Sequence, residues 1–538
     1  MPDTLKERSE IESQYKWDLT RLFADDAAWE QTLAGLDKQV QEVAAFAGRL
    51  KDAGTIREYL DASMTLSRTL SNLYCYASMR RSEDTRAEAA QSMYARIAAA
   101  YAGAVAALSF AEPEILALPE ETLQAIRNAD CLKDYRFVLE NLVRQKPHTL
   151  SAAEEKLLAS LGEVLGAPAD IADSLQDADL SFESVKDGAG ELHEVTGSNY
   201  ILLQTSSDRT LRENSFRSFY KTYRGHINTF AATYAGAVKA ATAEAAARHY
   251  ESSRAMSMAG ENIPAEVYDN LVAAVREHLP LMYRYVALRK RLLGVQDLHY
   301  YDVYAPLTGE SNAHYTYEQA KQMVLDAVAP LGEEYCAEVR RGFDARWVDV
   351  YPNKGKSGGA YSTGTYDSEP YIMTNFTGTL DSVSTLAHEM GHSMHSLLSR
   401  RSQPVQYADY TLFVAEVAST VNENLMIEQL LKTEQRPDAR LYLLNQYLEN
   451  FKGTVFRQTM FAEFEREAHA MRERGEALSP AALNQLYRKL VQDYFGPELI
   501  MDEEVELEWA RTRISTVPSM YISMPPAIPR RWLCPKRF

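Results

Sequence analysis

The residues with the densest chemical potential are His388-Glu389-Met390-Gly391-His392. Two histidines four positions apart project from one helix face a turn apart, so both imidazoles can reach a single metal ion. Glu389 follows the first histidine and points toward the far side of that ion, where a water would stand. A carboxylate there can take the water's proton and pass it to a leaving amine. A zinc ion would lower the pKa of the water toward about 7 and polarise a carbonyl. The spacing therefore predicts metal-assisted hydrolysis with one Zn2+ per chain, His388 and His392 as ligands and Glu389 as general base.

A catalytic zinc needs a third protein ligand and one open position. A histidine ten positions after the first would supply it in one known variant, but that position is Leu398. His395 shares nearly the same face but lies two turns from the first ligand, and is read as packing or as a support behind the ligands. The stronger candidate is Glu416, set among Phe413, Val414, Ala415, Val417 and Ala418. A carboxylate in such a stretch is costly unless it binds metal or pairs with an arginine, and either partner satisfies it. Glu423, seven residues on, could accept the spare N–H of a ligand imidazole or stand as a surface glutamate.

The elements that must position these residues are mostly helices. Residues 88 to 109 are rich in Ala with few breakers. Ser151 caps a predicted helix that stops near Gly166. Residues 167 to 200 turn β-like around a Gly-containing turn, which places a domain junction there. Helices resume from 201 to 345. The glycine-rich stretch 351 to 380 reads as a small sheet with PYIMTNF as one strand. Helix returns from 382 to 505, so the histidine pair lies on a helix just after that sheet, with Glu416 on an antiparallel neighbour. The expected fold is mainly α, divided into an N-terminal helical domain (1–200), a catalytic domain (201–512) and a tail (513–538).

Composition narrows the partners. The formal charge of −18 argues against nucleic acid and anionic membrane. Four scattered cysteines argue against a disulfide framework or a cysteine-built metal site. The polar start lacks a secretory apolar region, and no window approaches 18 uninterrupted apolar residues. The expected location is the cytoplasm.

Several segments, in order along nearly the whole chain, resemble the oligoendopeptidase F group of the thimet oligopeptidase-like metallopeptidases. They include WDLTRLF, KPHTLSAAEEKLL, ENIPAEVYDNL, SGGAYSTGTYDSEPYI, TLAHEMGHSMHS, FVAEVASTVNENL and RQTMFAEFE. The resemblance implies zinc ligands His388, His392 and Glu416, general base Glu389, and an orienting role for Glu423. It also implies a helical fold enclosing a deep channel, with cleavage of internal bonds in short peptides. Tyr371 and Gly359 are then expected at the substrate, the strand near Tyr371 pairing with its backbone by β-addition. An inactive, zinc-retaining, peptide-binding relative is the alternative.

The resemblance stops after Trp509-Ala510-Arg511, where the family continues with a segment like PHFYxxFYVYQYATGxSAA. Here the chain reads TRISTVPSMYISMPPAIPRRWLCPKRF. Allowed codons for this tail, read in another frame, give HFYSTFYVYQYATGYSAAVALSQAF. Met520-Tyr521 then forces Val and Met524-Pro525 forces Ala, while Trp532-Leu533 allows Ala, and all three fit. Residues 513–538 are therefore expected to be an out-of-frame tail that impairs activity.

Overall fold

The computed structural model describes residues 5–308 and 313–511. The tail and its out-of-frame reading lie outside the described residues. Most of the described chain is α-helix, as composition predicts. Two compact units divide it, and neither is contiguous in sequence. The first takes its described residues from 5–149 and 313–433, the second from 150–308 and 434–511. The proposed boundary near 200 follows chain order, whereas the spatial units change hands at 149, 311 and 433. A chain that leaves and re-enters a core gives no compositional mark at the crossing.

In the first unit one apolar core gathers around Trp29, Leu73 and Met79, with helix Ala53–Glu83 as its spine. A second gathers around Trp347, Val383, Leu386 and Met390. The second unit has a core rich in aromatic residues, including Phe216, Phe219, Tyr220, Phe464 and Tyr487.

Seven short strands occur among the described residues. β1 (Val185–Lys186) and β2 (Leu192–His193) form a hairpin, the β-like signal read across 167 to 200. β3 (Leu298–His299) pairs in parallel with β7 (Leu499–Ile500). β4 (Val348–Asp349), β5 (Tyr361–Thr363) and β6 (Tyr371–Met373) make a three-stranded sheet in the order β4-β6-β5. β6 is parallel to β4 and antiparallel to β5.

Two helices then carry the candidate site. α1 (Leu380–Ser402) begins where Thr379 accepts a hydrogen bond from the Ser382 amide, 3.2 Å. Arg400 and Arg401 sit in its last turn, where cations favour the helix dipole. α2 is Leu412–Thr433. Contacts pair 387 with 422, 392 with 416 and 396 with 410, so the helices run antiparallel.

One local expectation fails. Helix does not stop near Gly166, because Gly162–Ser174 is helical through Gly166 and Pro168. Pro168 packs in contact range of Gly236, and tertiary packing overrides the local breakers. Glu88–Leu116 is also long and apolar enough to cross a membrane by length and composition, with a mean hydropathy of 1.3 and 17% of that window buried. Its apolarity is mostly alanine, which raises the mean without an uninterrupted run of large side chains.

Candidate metal centre

α1 and α2 cross unusually closely at Gly391. A Cβ there would lie 2.6 Å from Ser419 Cα and 2.8 Å from the Ala418 carbonyl oxygen. That contact is the packing reason for a glycine inside a helix, which otherwise costs about 1 kcal/mol. It lets α2 approach until Glu416 reaches the histidine pair.

His388 Nε2 and His392 Nε2 stand 3.1 Å apart. Glu416 Oε2 is 3.4 Å from each. Ligand atoms about 2.05 Å from a tetrahedral ion stand roughly 3.3 Å apart, so these three edges fit one face of such a site. The orientation fits too. Glu423 Oε1 lies 2.6 Å from His388 Nδ1, so the neutral ring donates there and turns its Nε2 lone pair toward the common point. Ser419 Oγ donates to Glu416 Oε2 at 2.8 Å and restrains the carboxylate.

His388, His392, Glu416 and Glu389 are all buried. Burial opposes protonation of His388, but the Glu423 hydrogen bond and the carboxylates of Glu389, Glu423 and Glu416 outweigh it and raise its pKa. Burial would raise the Glu416 pKa, and His392 and His388 pull it below the ordinary value. Burial pushes the Glu389 pKa up, against the pull of His388 and His392. Glu389 Oε2 is buried without a hydrogen-bond partner among the described residues. A carboxylate so placed retains a free acceptor beside the three donors.

α2 is inverted relative to an ordinary amphipathic helix. Glu416, Ser419 and Asn422 face inward, while Val414, Val417 and Val421 are exposed at 37%, 57% and 41%. Glu416 is thus not buried by its apolar neighbours in sequence. Its polar stripe packs on α1, where Asn422 donates to the Ala387 carbonyl at 3.2 Å. The spacing of Glu416, Ser419 and Asn422, three apart each time, was the available signal for the two residues that sequence reasoning missed. His395 stacks on Tyr410 with centroids 3.6 Å apart and lies outside the donor group.

The substrate-strand expectation needs correction. β6 is the central strand, with both backbone edges engaged, and Tyr371 is only 1% exposed in the core beside Trp17. β-addition at Tyr371 is therefore excluded. The edge strands are β4 and β5, and β5 is preceded by exposed Gly359 in a left-handed conformation at φ 78°. Ser362 of β5 bonds Ser393 of α1 at 2.8 Å, one residue past His392.

A family profile described as Peptidase family M3 matches residues 202–521, and one described as Oligopeptidase F matches 114–182. Oligopeptidase PepF of Bacillus subtilis is 42% identical over 509 residues, 94% of this chain and 76% of that protein. Group B oligopeptidase PepB of Streptococcus agalactiae is 41% identical over 506 residues, 94% and 84% of the two chains. Among solved structures, one from Chlamydophila abortus has a TM-score of 0.88 at 32% identity, covering 97% of this chain and 88% of that one. Oligoendopeptidase-F from Enterococcus faecium has a TM-score of 0.70 at 34% identity, covering 93% and 85%.

Proposed function

The chain belongs to peptidase family M3 as a metalloendopeptidase of the oligoendopeptidase F type acting on peptides, and from that premise we propose its metal, ligands and base. One zinc per chain is held by His388, His392 and Glu416, and Glu389 is the general base in cleavage of internal bonds of short oligopeptides. The observation carrying this reading is the convergence of the three donor atoms at edges of 3.1, 3.4 and 3.4 Å. When bound, zinc supplies a Lewis acid for the scissile carbonyl and lowers the pKa of a water toward about 7.

The remaining work falls to the protein. Glu389 Oε2 accepts the proton of the attacking water and returns it to the departing amine nitrogen. Glu423 fixes the His388 ring and its tautomer. Ser419 holds the Glu416 carboxylate. Burial of all four central residues excludes bulk water and strengthens their electrostatics. The free edge of β5 replaces β6 as the strand that pairs with substrate backbone, with Gly359 at its entrance.

Free thiols at Cys75, Cys131 and Cys336 support a reducing, cytoplasmic setting. The out-of-frame reading of 513–538 also remains part of the proposal, and the nucleotide sequence of the gene tests it.

The test is cleavage of a quenched fluorescent oligopeptide with metal content measured in parallel. Chelation is expected to abolish cleavage, and one equivalent of zinc to restore it. Hydrolysis that survives complete metal removal sinks the zinc reading. Zinc retained without any turnover assigns the chain instead as a peptide-binding relative.

A further inference from the structure

A cavity of about 380 Å³ opens in the first unit, between the 8–24 segment, helix Ala53–Glu83 and Arg346. It includes none of the residues of the metal centre. Four cations line it (Arg8, Lys16, Arg80 and Arg346) against two carboxylates, Asp18 and Glu83. In a chain of net charge −18, a positive lining is a local feature. Trp17, Phe23 and Tyr76 supply an aromatic wall.

Pairing the charges leaves one cation over. Arg8 grips Asp349, with Nη1 at 2.7 Å, and reaches Glu83 at 3.1 Å. Lys356 also holds Asp349, at 2.7 Å. Arg80 pairs with Asp26 at 3.0 Å and Glu83 at 2.7 Å. Arg346 pairs with Asp18 at 2.7 Å. Four cations thus meet four carboxylates, and no ion pair among the described residues includes the fifth cation, Lys16. Lys16 is half-buried, and burial followed by the like charge of Arg8 lowers its pKa against the weaker pull of Asp349 and Glu83, neither of which it contacts as an ion pair. An ammonium held beside a guanidinium without its own counterion is stabilised by an anion from outside.

The rim is also built at a cost. Arg346 has a left-handed backbone at φ 55°, a conformation costing about 1 kcal/mol or more outside glycine. Its carbonyl accepts from the Asp18 amide at 2.9 Å, and its Nη1 donates to the Ser13 carbonyl at 3.0 Å. These bonds clamp the 13–18 segment that carries Lys16 and Trp17. Trp17 also packs against Tyr361 of β5 and Tyr371 of β6.

We propose that this cavity is a second ligand site, which takes a small organic anion. Its carboxylate or phosphate group meets Lys16, and a flat apolar body lies against Trp17 and Phe23. The charge is recognised by Lys16 alone, because the arginines are already committed to carboxylates.

Calorimetry on the full chain tests this with N-acetylphenylalanine, its neutral amide, and inorganic phosphate. Saturable binding of N-acetylphenylalanine or phosphate is expected, and none of the amide. Lys16→Met should weaken that binding by about tenfold, equivalent to about 1.4 kcal/mol, while Lys16→Arg retains it. Binding of phosphate alone identifies a phosphate-bearing ligand; binding of the carboxylate alone identifies a carboxylate-bearing one. Unchanged thermal melting of both variants shows that the fold is intact. The proposal is overturned if neither anion binds at about 10 mM, or if the amide binds as well as the acid. Equal binding in Lys16→Met overturns it as well.

Discussion

Two buried glutamates, one in each unit, have opposite surroundings. Glu508 in the second unit is completely partnered. Arg457 and Arg511 pair with one of its oxygens, and the hydroxyls of Tyr300 and Tyr487 donate to the other. Burial would raise its pKa, but Arg457 and Arg511 outweigh that and hold it at about 2. Glu389 in the first unit is equally buried and, among the described residues, pairs with no arginine and keeps one oxygen without a partner. Its pKa is raised, chiefly by burial. A carboxylate that serves the fold has its hydrogen bonds completed by the protein. One proposed to serve chemistry is left with an acceptor to spend, at a cost that the fold carries elsewhere.

Exchanging charge for amide at both positions is the sharpest way to break this contrast. Glu389→Gln should lower kcat by about a hundredfold to ten-thousandfold, with metal content and melting temperature undiminished. A loss of melting temperature in Glu389→Gln would mean that its charge supports the fold after all. Glu508→Gln strands Arg457 in the core and should cost about 3–5 kcal/mol in denaturant unfolding. Near-native stability there would erase the distinction.

A smaller effect sharpens the first region. Glu423→Gln keeps the shape but weakens a charge-assisted bond to His388 Nδ1. Zinc affinity, measured by chelator competition, should fall about 10- to 100-fold. Unaltered affinity would reduce Glu423 to a bystander.

The smallest expected effect uses a histidine in the second unit. Among the described residues His469 Nδ1 meets only the Ser253 hydroxyl, at 2.8 Å, and burial lowers its pKa to about 4. The unfolded chain titrates this imidazole near 6.5. Below that pH the unfolded state binds the proton that the folded state refuses. Stability is therefore fully present above about pH 6.5 and is lost as pH falls toward about 4. Between about pH 7.5 and pH 5 the loss should be about 2 kcal/mol. Thermal melts of His469→Gln across that range should show a shallower decline than the parent chain. Parallel curves would mean that His469 is protonated in the folded state.

The sequence by itself determined the helical class and the spacing that sets His388, Glu389 and His392 on one helix, because helical periodicity is a local property. The resemblance pointed to Glu416 as the third ligand. Only the tertiary structure decided which face of α2 turns inward. Hydrophobicity alone would have buried Val417 and exposed Glu416; the Gly391 crossing and the Ser419 and Asn422 contacts reversed that. Strand order was equally out of reach. PYIMTNF reads as a strand, but whether its edges are free depends on β4 and β5 pairing from either side. The division into units was hidden for the same reason: long-range packing joins segments far apart in the chain and leaves no periodic trace in the residues that connect them.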